Sequence, residues 1–163
     1  MWAAYVATRA MIGLIQRVIS AEVRVDGDVV GCIGNGLLAF VAVEPGDSDV
    51  TAQQLANRLV AYRVFDDGHG RMNHSLLESG GSLLLVSQFT LAADTRKGLR
   101  PSFTSAAPPE RGRALFEQVV EHARAALPGK VATGRFGTHM QVSLVNDGPV
   151  TFWLQIPTPP ATE

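Results

Sequence analysis

Residues 146–151 read NDGPVT, inside the run MQVSLVNDGPVTFWLQI, whose two flanks both have the apolar character of strands. Nothing else in the chain limits its folding as sharply. Proline has no N–H to give a sheet ladder, so within sheets it is confined to edges, strand starts and bulges. Asn-Asp-Gly directly before it is turn chemistry, because these residues tolerate left-handed backbone and close hairpins. The residues alone predict strands over 140–145 and 150–156, joined at Asn146-Asp147-Gly148. They leave open whether Gly148-Pro149 only ends that turn or has a task of its own.

The rest of the chain is also rich in strand patterns. Apolar residues allow a strand over 12–20, and 21–25 alternates, with Val23 and Val25 set against Glu22 and Arg24. An Asp26-Gly27-Asp28 turn, a strand over 29–33, a Gly34-Asn35-Gly36 turn and the apolar run 37–43 complete an antiparallel opening of four strands. Ser48 or Asp49 can then cap a helix in which Ala52, Leu55, Ala56 and Leu59 share one face. The stretch FDDGHGRMNHSLLESGG is loop-like, and SLLLVSQFT (82–90) is a β-rich run ending in polar residues. Residues 94–109 form a basic loop too long to be a mere connector. Pro109 takes the favoured first position of a second helix, striped by Phe116, Val119, Val120, Ala123 and Leu127. The expected fold is a single-domain, layered α/β arrangement dominated by strands: a mostly antiparallel, barrel-like sheet with two main helices packed on one side.

A chain of 163 residues, 46% apolar and 18% charged, has material for one core and belongs with globular sequences. Its net charge of −1 argues against broad wrapping of nucleic acid, so no DNA partner is expected, but it leaves room for a local basic patch that grips one end of an RNA. The lone cysteine, Cys32, excludes an intrachain disulfide and a Cys-rich zinc site, fits a reducing cytoplasm, and reads as a small core residue. No apolar run approaches the ~18 residues of a membrane span, so no membrane partner is expected. Residues 1–10 lack the basic start and long apolar stretch of a signal peptide and read as a dispensable, disordered extension. The domain is expected over 11–157, with 158–163 a loose tail.

Most familiar catalytic patterns are absent. The histidines His69, His74, His122 and His139 have no metal-ligand spacing, and there is no GxSxG elbow or phosphate-binding glycine loop. Three stretches remain. In Ser87-Gln88-Phe89-Thr90 a strand ends in polar side chains, where backbone N–H groups are no longer occupied by the ladder; the plain alternative is that Ser87 and Thr90 only start the next turn. In DTRKGLRPSF (94–103), Arg96, Lys97 and Arg100 lie close together, which suits either a solvated loop or a phosphate backbone. The third is NDGPVT itself.

Taken together, SQFTLAADTRKGLRPSF (87–103) and TGRFGTHMQVSLVNDGPVT (133–151), with LIQRV (14–18), VDGDVVGCIGNGLL (25–38), GRMNHSLL (70–77) and AAPPE (106–110), resemble the bacterial type of the D-aminoacyl-tRNA deacylase family over nearly the whole chain from Met11. Arg71 stands where a lysine is common, and both chain ends lie outside the pattern. The resemblance implies a cofactor-free, metal-free cytoplasmic homodimer with active sites at the subunit interface. It would hydrolyse the ester between a D-amino acid and the 3′ end of tRNA, as chiral proofreading. It places Ser87, Gln88, Phe89 and Thr90 in the catalytic pocket. Gly148 and Pro149, joined by a cis peptide, would enter from the partner subunit, with Met140 and Gly137 also binding substrate and Arg96, Lys97 and Arg100 holding tRNA. A non-catalytic dimeric module binding tRNA ends or an amino acid is the competing reading, and hydrolysis of some other acyl ester or amide is another.

Overall fold

The computed structural model describes residues 10–157. The expected extension lies outside the described residues except for Ala10, and so does the tail 158–163. The first strand, β1 (Ala10–Val25), begins two residues before the expected strand and one before the expected domain start, with Ala10 buried and paired to Pro157. It is one strand of 16 residues where the pattern suggested two. Met11 and Ile15 face one core, whereas Val18, Ala21 and Val23 face another. The period of two therefore slips between Val18 and Ala21, which looks like a junction in sequence although the backbone runs on.

One edge of β1 is shared by β3 (Gly36–Ala42), which pairs with Ile12–Val18, and β2 (Asp28–Ile33), which pairs with Ala21–Val25. Helix α1 (Asp49–Ala61) starts at Ser48, whose amide donates to the Thr51 hydroxyl at 2.8 Å, and it buries Ala52, Leu55, Ala56 and Leu59 as expected. The stretch taken as loop carries a small hairpin, β4 (Phe65–Asp66) with β5 (Met72–His74), and a single-turn helix, α2 (Leu76–Ser79). Strand β6 (Ser82–Ser87) leads into a 3₁₀ turn over Phe89–Ala92. After the long loop come α3 (Pro109–Ala126), β7 (Val131–Thr133) and β8 (Gln141–Pro157).

The main sheet has the order β2-β1-β3-β6-β7, with β8 on the other edge of β1. The pairs made by β1 are antiparallel, while β3–β6 and β6–β7 are parallel. Parallel neighbours need long crossovers, and α1 and α3 supply them. Both helices pack on the same face, where Leu55, Leu59, Leu115 and Val119 meet Met11, Ile15, Leu37 and Leu85. The opposite face curls around a second core of Val18, Val23, Leu38, Leu84 and Val86. Strand β2 closes this barrel-like curl against β7 so tightly that a Cβ on Gly31 would lie 2.4 Å from the Thr133 carbonyl oxygen. Leu83, Leu84, Leu85 and Val86 are all buried because β6 has a core on each side.

Two further expectations fail. Cys32 is exposed, because its side chain points out of β2, away from the closed core. The NDGPVT hairpin does not form: β8 is a single strand of 17 residues, and both of its halves pair with β1.

Candidate active site

The parallel ladder between β3 and β6 ends where Ser87 faces Val41. One more bond, from the Gln88 amide to the Val41 carbonyl at 2.7 Å, fixes the exit of the chain from the sheet. The backbone then winds into the 3₁₀ turn, whose first bond runs from the Leu91 amide to the Gln88 carbonyl at 3.2 Å. The amides of Phe89 and Thr90 precede that bond, so like the first donors of any helix they have no partner inside the turn. The Gln88 side-chain amide donates to the Thr90 hydroxyl. Phe89 is 60% exposed, with its ring 5.2 Å from that of Phe103 in the basic loop.

Two cavities meet at this strand end. The first, about 270 Å³, is walled by Val41, Val43, Phe116 and Phe136 and bordered by Ser87, Phe89 and Gly137; none of its lining residues titrates. The second, about 340 Å³, again includes Ser87, Phe89 and Gly137, adds Gln88, and reaches His139 and Met140. Met140 is fixed there by the Arg135 amide, which donates to its sulfur at 3.4 Å. Of the sequence candidates, Ser87, Gln88, Phe89, Gly137 and Met140 thus line these two cavities, and Thr90 adjoins them through Gln88. Among the described residues, no three His, Cys, Asp or Glu side chains are grouped to hold a metal ion.

Gly148 and Pro149 are exposed and line neither cavity. They sit in a wide bulge: Gln16 pairs with Thr151 and Val18 with Asn146, so residues 147–150 all stand opposite Arg17. The Gly148–Pro149 peptide is cis. A Cβ on Gly148 would lie 2.2 Å from the Val150 nitrogen, so only glycine fits there. Two side chains missed by sequence reasoning brace the bulge. Asn146 bridges it from within, its Nδ2 donating to the carbonyls of Arg17 and Val150, both at 3.0 Å. Arg17 donates from Nε to the Asp147 carbonyl at 2.9 Å and from Nη1 to the Val64 carbonyl at 2.6 Å. An arginine set within an apolar strand pattern was the available signal.

The basic loop is drawn together where Asp94 and Ser102 exchange backbone bonds of 2.8 and 3.0 Å. Arg96 forks onto the Asp94 carboxylate, Nε to Oδ1 at 2.9 Å and Nη2 to Oδ2 at 2.7 Å. That guanidinium, helped by the Arg96 amide, holds the Asp94 carboxyl well below its usual range. Lys97 and Arg100 are exposed and make no ion pair among the described residues.

A sequence model of the family described as D-Tyr-tRNA(Tyr) deacylase matches residues 14–155. The D-aminoacyl-tRNA deacylase of Thioalkalivibrio sulfidiphilus (strain HL-EbGR7) is 60% identical over 149 residues, which is 91% of this chain and 99% of that relative. The D-aminoacyl-tRNA deacylase of Methylococcus capsulatus (strain ATCC 33009 / NCIMB 11132 / Bath) is 62% identical over 147 residues, 90% of this chain and 95% of that one. Among solved structures, one described as c-Myc DNA Unwinding Element Binding Protein superposes with a TM-score of 0.85 at 32% identity, covering 90% of this chain and 99% of that chain. Another, described as a probable eukaryotic D-amino acid tRNA deacylase, gives a TM-score of 0.79 over 90% of this chain and 100% of that chain. At 18% identity it speaks for the fold alone.

Proposed function

This chain belongs to the D-Tyr-tRNA(Tyr) deacylase family, and from that membership we propose that it is a hydrolase that cleaves the ester between a D-amino acid and the 3′-terminal ribose of tRNA, releasing both. The observation that carries the reading is the end of β6: two amides without partners inside their turn, beside a cavity with no titratable side chain in its lining. A water attacks the ester carbonyl carbon, and the Phe89 and Thr90 N–H groups receive the developing oxyanion. The carbon–oxygen bond to the ribose then breaks, and the 3′ oxygen takes a proton relayed by the terminal 2′-OH. An aminoacyl ester is already activated, so positioned water with oxyanion support suffices. The Thr90 hydroxyl accepts a hydrogen bond from Gln88 and is bonded to no general base among the described residues, so it is given the role of positioning substrate and water.

Selection of handedness falls to Gly148 and Pro149 of a second subunit. Their carbonyls accept from the substrate ammonium, and rigid backbone fills the space an L side chain needs. Glycine has no side chain to exclude, so glycyl-tRNA, including glycine mischarged on alanine tRNA, is a second substrate. Two observations support a homodimer with shared sites. Within one chain the Gly-Pro pair lines neither cavity, and Ile19, Val145, Phe89 and Phe103 leave apolar surface exposed around the bulge and the strand end. Arg96, Lys97 and Arg100 take acceptor-stem phosphates. No helix among the described residues is long and apolar enough to cross a membrane, and the proofreading role places the protein in the cytoplasm with charged tRNA.

The test is release of tyrosine from D-tyrosyl- and L-tyrosyl-tRNA by purified protein, with and without a chelator. D-selective release that ignores the chelator supports the reading. Absence of release indicates a binding module, and release without chiral preference indicates a general hydrolase.

A further inference from the structure

A third depression, about 560 Å³, runs along the outer side of α3 against residues 133–136 and shares Phe116 and Phe136 with the first cavity. Arg113 and Arg135 stand at this shared boundary. The Arg113 guanidinium lies over the Phe136 ring, 4.9 Å from its centre, and its Nη2 is 3.6 Å from where a side chain on Gly137 would begin. It therefore rests on a wall of the cavity and on bare backbone at its border. Both arginines are exposed, and neither makes an ion pair among the described residues. The groove also holds Glu117 and Glu121, one and two helical turns further along α3 from Arg113, and there Arg124 lies 3.8 Å from Glu121. The two arginines next to the cavity are thus unpaired, whereas Arg124 at the far end is held by a carboxylate. On the other flank, Arg96 is already held by a carboxylate.

We propose that this groove receives the single-stranded 3′ end of tRNA as it leaves the catalytic cavity, with Arg113 and Arg135 each contacting a phosphate. The inference rests on the aminoacyl-ester reading for the ligand in the cavity, and its own content is the route the strand takes. A guanidinium stacked on an aromatic ring is pre-oriented with its N–H groups free for phosphate oxygens. The far, charge-balanced end of the groove contributes little, so Arg124 is not a contact.

The probe is uncharged tRNA, followed by fluorescence anisotropy over a salt series, which requires no hydrolysis. The double variant Arg113→Gln/Arg135→Gln is expected to bind at least tenfold more weakly at low salt, with the slope of log K against log salt shallower by about 1.4, two single-strand contacts at about 0.7 each. Arg113→Lys/Arg135→Lys should recover most of the slope, and Arg124→Gln should change it little. Unchanged affinity and slope in a folded double variant would overturn the proposal. So would weaker binding at an unchanged slope, which marks a structural role. Failure of wild-type protein to cleave D-tyrosyl-tRNA would count against the esterase reading and leave this binding result to stand or fall by itself.

Discussion

The Asn146 side chain does for Val150 what a neighbouring strand would do: its Oδ1 accepts from the Val150 amide and its Nδ2 donates to the Val150 carbonyl, both at 3.0 Å. Val150 is only 6% exposed, so without Asn146 its amide would be buried and unpaired. Asn146→Ala is expected to lower stability by about 2 kcal/mol, the usual cost of such an orphan. Asn146→Asp keeps the acceptor but sets a carboxylate oxygen against the Arg17 and Val150 carbonyls, so it should not recover the loss. Urea midpoints at constant slope measure both.

Arg17 ties the same bulge to the segment before β4, through Asp147 on one side and Val64 on the other. A lysine carries the charge but cannot reproduce this two-way fork. Arg17→Lys should therefore loosen the placement of Gly148-Pro149 and raise L-tyrosyl-tRNA hydrolysis more than it lowers D-tyrosyl-tRNA hydrolysis. The ratio of the two kcat/KM values reads this out, and an unchanged ratio would mean that Arg17 does not bear on selectivity.

Thr90 is assigned to positioning, with the oxyanion donors on the backbone. Thr90→Ala keeps both amides and is expected to retain deacylation within about tenfold of wild type, well short of the loss of roughly a millionfold that follows removal of a serine nucleophile. Rapid quenching followed by mass spectrometry should find no acyl group on Thr90; a trapped acyl-Thr90 would refute the water-attack scheme.

The basic loop carries a ranking. Arg96 is neutralised by Asp94, whereas Lys97 and Arg100 make no ion pair among the described residues, so Arg100→Ala should reduce the salt slope of tRNA binding by about 1 and Arg96→Ala by less. Asp94 has its folded pKa depressed below the ordinary 3.8. The stabilisation this represents is complete above that value and is lost as pH falls through the folded pKa. The ranking should consequently hold wherever Asp94 stays ionised, at any pH above its ordinary value.

How much of this was legible in the sequence depended on how local the signal was. Helix α1 showed in its Ser48 cap and apolar spacing, and α3 in Pro109 and its stripe, because caps and periodicity act within a few residues. The polar end of the β6 run marked the catalytic candidates for the same reason. The bulge was illegible. An Asn-Asp-Gly sequence has the same propensity whether the chain reverses or continues, and only the pairing of both halves of β8 with β1 decides between them. The split of β1 and the burial assigned to Cys32 were misread likewise, since which face of a strand meets a core is settled by distant partners. Gly148-Pro149 was singled out by resemblance, not by pattern, and Arg17, Asn146 and Arg113 gained their roles only once the fold brought their partners near.

In the proposed function the site admits D-aminoacyl and glycyl esters because neither presents an L side chain. Single-turnover hydrolysis of D-tyrosyl-, glycyl- and L-tyrosyl-tRNA by the same preparation tests it most directly. The D-tyrosyl and glycyl esters are expected to be lost rapidly, with the L-tyrosyl ester decaying no faster than in buffer. L-tyrosyl-tRNA cleaved as fast as D-tyrosyl-tRNA, or glycyl-tRNA left intact while D-tyrosyl-tRNA is cleaved, would contradict it.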